Sequence, residues 1–558
     1  MAAFTPVELF IADPHGEYEE FSHILRGGCG AVRALVDEVF GKIPEEKRAA
    51  LTTAIIYPKE KFPLLDPEER ASFAWRMSLL LQEAADAEFA DEEPEDEPDA
   101  GENPAAFARL AALVREACVS RLHLMGDVYD RGPAPDAIMD EVAAFGKFDI
   151  QWGNHDILWM GAALGQPALV CTATRICARY GNLSILEDNY GMDLSVLREF
   201  AAKTYGDDPA ECFSLKSGTF DDAERRAHTL VQKAMAIIQF KVEAKCSAEN
   251  PDFNLDRRNL LGHIDWQAGT VEVDGTIQPM KDMHFPTVNP ADPYALTPEE
   301  QEVLDACIAA FTGSAKLQRH VRLFLTKGSL YKIIPGESGA DDILLFHACV
   351  PLNADGSPKD VTLFGQTYAG RALFDAVDGF VRDAYTATDP SAKKRGLDLL
   401  WYLWQGDGSP LFAKSKMATF ELYFQADKAI QKEAKNPFYK LLENEAVLDG
   451  ILRDFGLDPA RARIMCGHTP VKVKDGEDPV KCGGKLMIID GGMSKPYQKN
   501  TGVAGFTVVR PARRVADADC TAVALVPGGL TLFTHQAFCG RATAVSTDED
   551  LHSTVRHV

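Results

Sequence analysis

The sequence predicts an α/β fold with largely helical insertions. Three observations lead there. Short, mostly apolar runs of strand length recur along the 558 residues. Five of them end at once in turns rich in Asp, His, Asn and Gly: Asp13-Pro14-His15-Gly16, Gly126-Asp127 through Asp130-Arg131-Gly132, Gly153-Asn154-His155-Asp156, His347-Ala348-Cys349, and Gly467-His468-Thr469-Pro470. Long stretches with helical patterning separate them. Open α/β sheets place their ligands beyond the carboxyl ends of strands, so the five turns are expected to converge.

The elements follow in order. Residues 8–12 form a strand ending in Asp13 and His15, which sit two apart and point to the same side of an extended segment. Carboxylate oxygen with imidazole nitrogen suits a borderline divalent cation such as manganese, iron or zinc. Helices are expected over 17–25, 35–56 and 67–81. The cluster Gly27-Gly28-Cys29-Gly30 lacks the spacing of a nucleotide-binding loop and reads as a turn. Residues 83–104 are acidic and contain proline, as in a solvated linker or surface insertion. A helix near 105–118 leads into the central strand, 122–125, and its turn. Taken alone, that turn also reads as ordinary Asp/Gly capping. However, Asp127 has two oxygens with which to bridge two cations, and Arg131 has a planar fork suited to phosphate. Strand 148–152 delivers the third turn.

Residues 157–180 read as one buried helix. Residues 190–250 read as mainly helical, 269–276 as a hairpin, and 298–315 as a helix announced by Thr297-Pro298-Glu299-Glu300. The segment 166–335 is therefore read as a mainly helical cap. Strand 343–346 brings His347, and a second helical insertion occupies 365–460. The sheet returns at 462–468, 485–490, 502–510 and 529–535. The core is thus expected in three pieces, 1–165, 336–364 and 461–558.

Composition limits the function classes. The formal net charge of −25 argues against nucleic acid or an anionic membrane as partner, yet leaves phosphate esters open, because bound cations would dominate the local field. No apolar run approaches the roughly 18 residues of a membrane span, and the N-terminus lacks the basic flank of a signal peptide. Twelve scattered Cys without a CxxC pair fit a reducing, cytoplasmic setting.

Together, DxH, GDxxDRG, GNHD, a strand-end His and GH resemble the calcineurin-like metallophosphatases. The passages IADPHGEYEEF, DMHFPTVNPADPYALT, YLWQGDGSPLFAKSKMATFE and GHTPVKVKDGEDPVKCGGKLMIIDGGMSKPYQKNTGVAGFT are similar to one branch, the class III fructose-1,6-bisphosphatases of bacteria. The resemblance covers nearly the whole chain. It implies an α/β/β/α sandwich with two central mixed sheets, and hydrolysis of D-fructose 1,6-bisphosphate to D-fructose 6-phosphate and phosphate in gluconeogenesis. It also implies two Mn2+ ions, with Fe, Zn or Mg as substitutes. By the family's pattern Asp13, His15 and Asp127 hold one ion, and Asp127, Asn154, His347 and His468 the other. Water is then the nucleophile and no covalent phosphoenzyme is needed. His155 is the implied general acid, oriented by Asp130, while Arg131 clamps the phosphate. Asp156 is expected behind the ligands or in a purely structural role.

Two departures bear on this pattern. Gly467-His468-Thr469-Pro470 replaces GHxH, and Pro cannot bind metal, which leaves a position on the first ion open. His347-Ala348-Cys349 stands where the protein phosphatases have HGG. A sugar bisphosphate also needs a remote anion pocket. Lys414 and Lys416 are the candidates, with Arg257, Arg258, Lys472, Lys474, Lys495 and Lys499 as further cations; singly, each also reads as solvated surface charge. The partner expected is a small sugar bisphosphate, and a homo-oligomer stays open. The rival readings are a phosphoprotein or dinucleotide polyphosphate phosphatase, a nuclease, and an inactive metal-bound regulatory protein.

Overall fold

The computed structural model describes residues 4–85, 100–336, 340–511, 520–526 and 529–535. Most of the acidic run expected over 83–104 lies outside them. Twelve strands form two mixed sheets. They are β1 (Val7–Ala12), β2 (Val119–Met125), β3 (Phe148–Gln151), β4 (Gly328–Ser329), β5 (Tyr331–Ile334), β6 (Asp342–Phe346), β7 (Ala462–Cys466), β8 (Val480–Lys481), β9 (Leu486–Ile488), β10 (Gly505–Arg510), β11 (Cys520–Val526) and β12 (Leu530–His535). The larger sheet has the order β11-β12-β10-β1-β2-β3-β4, and the smaller β8-β9-β7-β6-β5.

The strands that carry the five turns are the parallel ones. In the larger sheet β1, β2 and β3 run parallel, with Ala12 opposite Met125 and Leu124 opposite Ile150. In the smaller, β6, β7 and β9 run parallel, with Met465 opposite Leu345 and Cys466 opposite Ile488. Parallel strands are covered on both faces and therefore read as near-continuous apolar runs, which is why these were the strands most visible in sequence. Their registers bring the ends of each sheet level.

The helical expectations hold in outline, and two are corrected. Residues 35–56 are not one helix: Ala31–Phe40 and Glu45–Ile56 are separate, with Gly41 and Pro44 in the break. Residues 157–180 are likewise two helices, Asn154–Ala163 and Pro167–Arg179, bent by 119°. Gly165 takes a left-handed φ of 81° between them, the Gln166 side chain accepts from the Leu169 N–H, and Pro167 opens the second helix. Thr297 and Glu300 form the reciprocal cap of Pro298–Gly313. Strands Thr270–Val273 and Thr276–Pro279 form the expected hairpin. The segment 166–335 carries the long helices Pro167–Arg179, Ser195–Tyr205, Asp222–Glu249, Pro298–Gly313 and Ala315–Lys327, interrupted by a small three-stranded sheet at 264–279, and ends where β4 and β5 join the two sheets. No single helix among the described residues is long and apolar enough to cross a membrane.

Candidate metal centre and active site

The two sheets meet at their strand ends. The Gly467 N–H donates to the His347 carbonyl at 2.8 Å, and the Asp13 and His15 N–H groups donate to the carbonyls of Gly126 and Asp127 at 3.2 and 3.0 Å. His347 Nδ1 lies 3.0 Å from the Met125 carbonyl oxygen. The His468 N–H reaches both Asp13 carboxylate oxygens, at 3.2 and 3.0 Å. The His347–Met125 and His468–Asp13 contacts tie β6 and β7 to β2 and β1 across the gap.

The backbone is strained where the predicted site residues sit. Asp13, His15, Asp127, Arg131 and His468 all have φ between 50° and 67°, a region side chains other than glycine's rarely adopt. Such strain persists only where the surroundings over-determine it, and it gathers at functional sites. Glycine is required at Gly153, where a Cβ would run into the Asp127 carboxylate, and at Gly467, where it would run into that of Asp13.

All six metal-ligand candidates are brought together. Asp13, His15 and Asp127 offer ligand atoms within 4.8 Å of one another, as do Asp127, His347 and His468; Asp127 belongs to both groups. His347 Nε2 lies 3.4 Å from Asp127 Oδ2, 3.3 Å from Asn154 Oδ1 and 3.2 Å from His468 Nδ1. Because the Met125 carbonyl can only accept, it fixes the hydrogen of His347 on Nδ1 and leaves Nε2 toward the centre.

The site holds a large excess of acid. Asp13, Asp127, Asp130, Asp156 and Asp490 are all buried, none more than 4% exposed. Burial works against the charge on His347, but Asp127 draws a proton onto it and lifts it to about 10. Burial likewise opposes the charge on His15, which Asp13 and Asp130 raise to about 9. Burial would also raise Asp127, yet the His347 charge holds it well below the usual carboxylate range. Burial and then the His347 charge keep His468 well below an ordinary imidazole. Asp490 Oδ2 is buried with no hydrogen-bond partner among the described residues. Burial and the Asp13 charge push this carboxyl well above its usual value. Buried carboxylates beside imidazoles, drawing protons for want of positive charge, are a donor set that fits divalent cations.

Around this cluster stand the other predicted residues. Asp130 is the hub: its Oδ2 lies 3.4 Å from His15 Nδ1, and its Oδ1 lies 3.1 Å from Arg131 Nε and 3.2 Å from His155 Nε2. Asp156 accepts the N–H groups of Asp127, Val128 and Gly153, each at 2.9 Å, and burial with the Asp127 charge pushes it up to about 7. Residues from 166–335 and 365–460 reach in as well. Asn182 Nδ2 donates to the Arg131 carbonyl at 2.5 Å, the Arg131 guanidinium lies 5.4 Å from the Tyr180 ring centre, and Trp404 meets His155 edge-on at 5.0 Å.

Of the proposed anion-pocket residues, Lys414 lies close enough for its charge to act on His468. Lys416 is turned to the hairpin, 2.6 Å from Asp274 and 3.9 Å from Glu421. Arg257 donates to the Ser415 carbonyl. Arg258 donates to that of Met417 at 2.5 Å and lies 3.0 Å from buried Glu243. Sequence reasoning missed Asp490, Trp404 and Tyr180. Asp490 had a signal: it ends an apolar run and precedes Gly491-Gly492, the same grammar as the five turns.

Fold and site define the class first: a mixed α/β protein with a candidate divalent-metal centre at converging strand ends. Comparison with known proteins then narrows it. The family model described as Firmicute fructose-1,6-bisphosphatase matches residues 3–90 and 99–558. A fructose-1,6-bisphosphatase class 3 of Fusobacterium nucleatum is 39% identical over 98% of this chain and 87% of its own length. Those of Bacteroides fragilis and Alkaliphilus metalliredigens are 39% and 37% identical, each over 98% of this chain and 86% of their own. No solved structure matches. The chain belongs to the class 3 fructose-1,6-bisphosphatase family.

Proposed function

We propose that this chain hydrolyses D-fructose 1,6-bisphosphate to D-fructose 6-phosphate and phosphate, as a cytoplasmic enzyme of gluconeogenesis. The observation that carries the reading is family membership along nearly the whole chain, with the acid- and imidazole-rich cluster at its strand ends. We assign the fold to the calcineurin-like metallophosphatase sandwich; its support is the pair of mixed sheets with ligand-bearing turns at their carboxyl ends. Residues 1–165, 336–364 and 461–558 form its core, 166–335 the cap, and 365–460 the second insertion.

In this reading Asp13, His15 and Asp127 would hold one Mn2+ ion, and Asp127, Asn154, His347 and His468 would hold the second, with Fe, Zn or Mg as substitutes. When bound, such ions supply a water of lowered pKa and neutralise phosphoryl charge. The chain's own residues do the rest. Arg131 presents its fork to the phosphate, steadied by Asp130 and Tyr180. Asp130 orients His155 through Nε2. His155 Nδ1, which has no hydrogen-bond partner among the described residues, delivers the proton to the leaving oxygen. Trp404 packs against the ring and limits its swing. Asp156 fixes the backbone that carries Asp127.

A panel with added manganese tests the substrate: fructose 1,6-bisphosphate, a phosphoserine peptide and a dinucleotide tetraphosphate. With products separated and quantified, the reading expects hydrolysis of the bisphosphate to dominate. Preference for the peptide or the dinucleotide would favour the corresponding rival phosphatase, and no turnover of any would favour a regulatory protein.

A further inference from the structure

We propose that Lys435 and Lys472, grouped with Lys414 beside the strand-end cluster, bind the second phosphate of the bisphosphate substrate. The inference rests on the reading of the chain as a fructose-1,6-bisphosphatase. Two stretches distant in sequence build the place. Lys414 and Lys435 face each other in an antiparallel bridge. The Ser415 N–H donates to the Ala434 carbonyl at 2.9 Å, and the Asn436 N–H to that of Ala413 at 2.8 Å. Residues directly opposite in such a bridge send their side chains to the same side.

The two lysines differ in their partners. Lys414 is neutralised by Glu433, 2.7 Å away, and Glu433 is itself fixed by the Ala418 N–H at 2.9 Å. No carboxylate comes within salt-bridge distance of Lys435 among the described residues. Its ammonium lies 5.3 Å from the Tyr439 ring centre, and the Tyr439 hydroxyl donates to the carbonyl of Ala348 at 3.0 Å. Ala348 follows His347, so Lys435 is linked to the metal cluster through one aromatic ring. Lys472 lies four residues beyond His468 in sequence, close enough for its charge to act on Lys435. The Val471 N–H donates to the Asp490 carbonyl at 2.9 Å, and the Lys472 N–H to Glu477 at 2.9 Å.

The charges act on one another. Lys435 is an exposed residue, but desolvation holds its ammonium below its ordinary value; Glu477 and Asp490 raise it, and the Lys414 and Lys472 charges depress it. In a chain with a net charge of −25, a lysine that forms no ion pair of its own among the described residues and stands near two other lysines is a ready seat for an anion. A lysine ammonium binds phosphate as a point charge. The pocket lies next to the centre proposed to cleave the first phosphate, so it would sense whether the substrate carries a second.

The test uses the manganese-loaded full chain with two substrates, fructose 1,6-bisphosphate and p-nitrophenyl phosphate, which has only one phosphate. Lys435→Gln and the double variant Lys435→Gln/Lys472→Gln should raise KM for the bisphosphate about ten- to a hundredfold, the size of a lost charged hydrogen bond. Their kcat/KM for p-nitrophenyl phosphate should stay unchanged, which also reports an intact fold. Lys435→Arg should recover most of the loss. An unchanged KM in the double variant, or equal losses on both substrates, overturns the pocket alone. A wild type that cleaves p-nitrophenyl phosphate but not the bisphosphate overturns the substrate reading and the pocket with it.

Discussion

Asp156 holds Asp127 from behind. Its Oδ2 accepts the Asp127 N–H at 2.9 Å, its Oδ1 takes that of Val128, and Oδ2 also serves Gly153. One carboxylate thus clamps the turn after β2 to the turn after β3. Asp156→Ala would leave three buried N–H groups without an acceptor, and should cost about 3 kcal/mol or more in stability. It should also weaken manganese binding by about ten- to a hundredfold, as losing the support of a ligand does. Thermal unfolding with chelator and a manganese titration measure the two effects.

Gly153 lies in the same clamp. A methyl group there would run into the Asp127 carboxylate. Gly153→Ala should therefore cost about 1–3 kcal/mol of overpacking. The displaced Asp127 should show as weaker manganese binding. Unaltered manganese affinity in a folded Gly153→Ala protein would mean that Asp127 is not held where the site needs it.

Asp149 predicts an acid-dependent stability away from the centre. It lies 2.9 Å from His123 Nδ1 and 2.7 Å from Lys332 Nζ. Burial opposes its charge, but the His123 hydrogen bond and Lys332 hold it at about 2, below the unfolded value near 4. A depressed folded value stabilises above pH ~4, and that gain fades as pH falls through ~2. Asp149→Asn should be less stable by about 2 kcal/mol at pH 7, with the gap closing at acid pH. Denaturant midpoints for both proteins across that range check it.

Arg258 ties Glu243 to the Met417 backbone. Its guanidinium bonds the Met417 carbonyl and lies 3.0 Å from Glu243, which is 2% exposed. Arg258→Met leaves that buried acid without a cation, with only the Gln239 side chain donating to it, and should destabilise by about 3 kcal/mol. KM for the bisphosphate should not move under folding conditions. A raised KM in a protein of normal stability would return Arg258 to the anion pocket.

Much of this site was legible because each ligand turn follows an apolar strand at once, so type and position could be read together. Asp490 obeys the same rule, but Asp-Gly-Gly reads first as a turn and only its burial next to Asp13 separates the two. Trp404 against His155, and Lys435 against Lys414, were not legible, because nothing local in either stretch encodes a contact made across the fold. The helix over 157–180 failed for a local reason: Gly165-Gln166-Pro167 breaks the chain while the residues on either side stay mostly apolar. The break at Gly41 to Pro44 divides 35–56 in the same way. Lys416 and Lys414 are two residues apart and looked alike, yet Asp274 engages one and Glu433 the other.

The account stands on Asp127 as the residue common to both cation groups. The most direct test is phosphate release from fructose 1,6-bisphosphate with manganese and then with chelator, for wild type and Asp127→Asn, with bound manganese counted in both proteins. The account predicts fast release in the wild type that chelator abolishes, and a folded Asp127→Asn protein that binds less manganese and has lost activity by roughly a thousandfold or more. An Asp127→Asn protein that keeps its manganese and its turnover would contradict it.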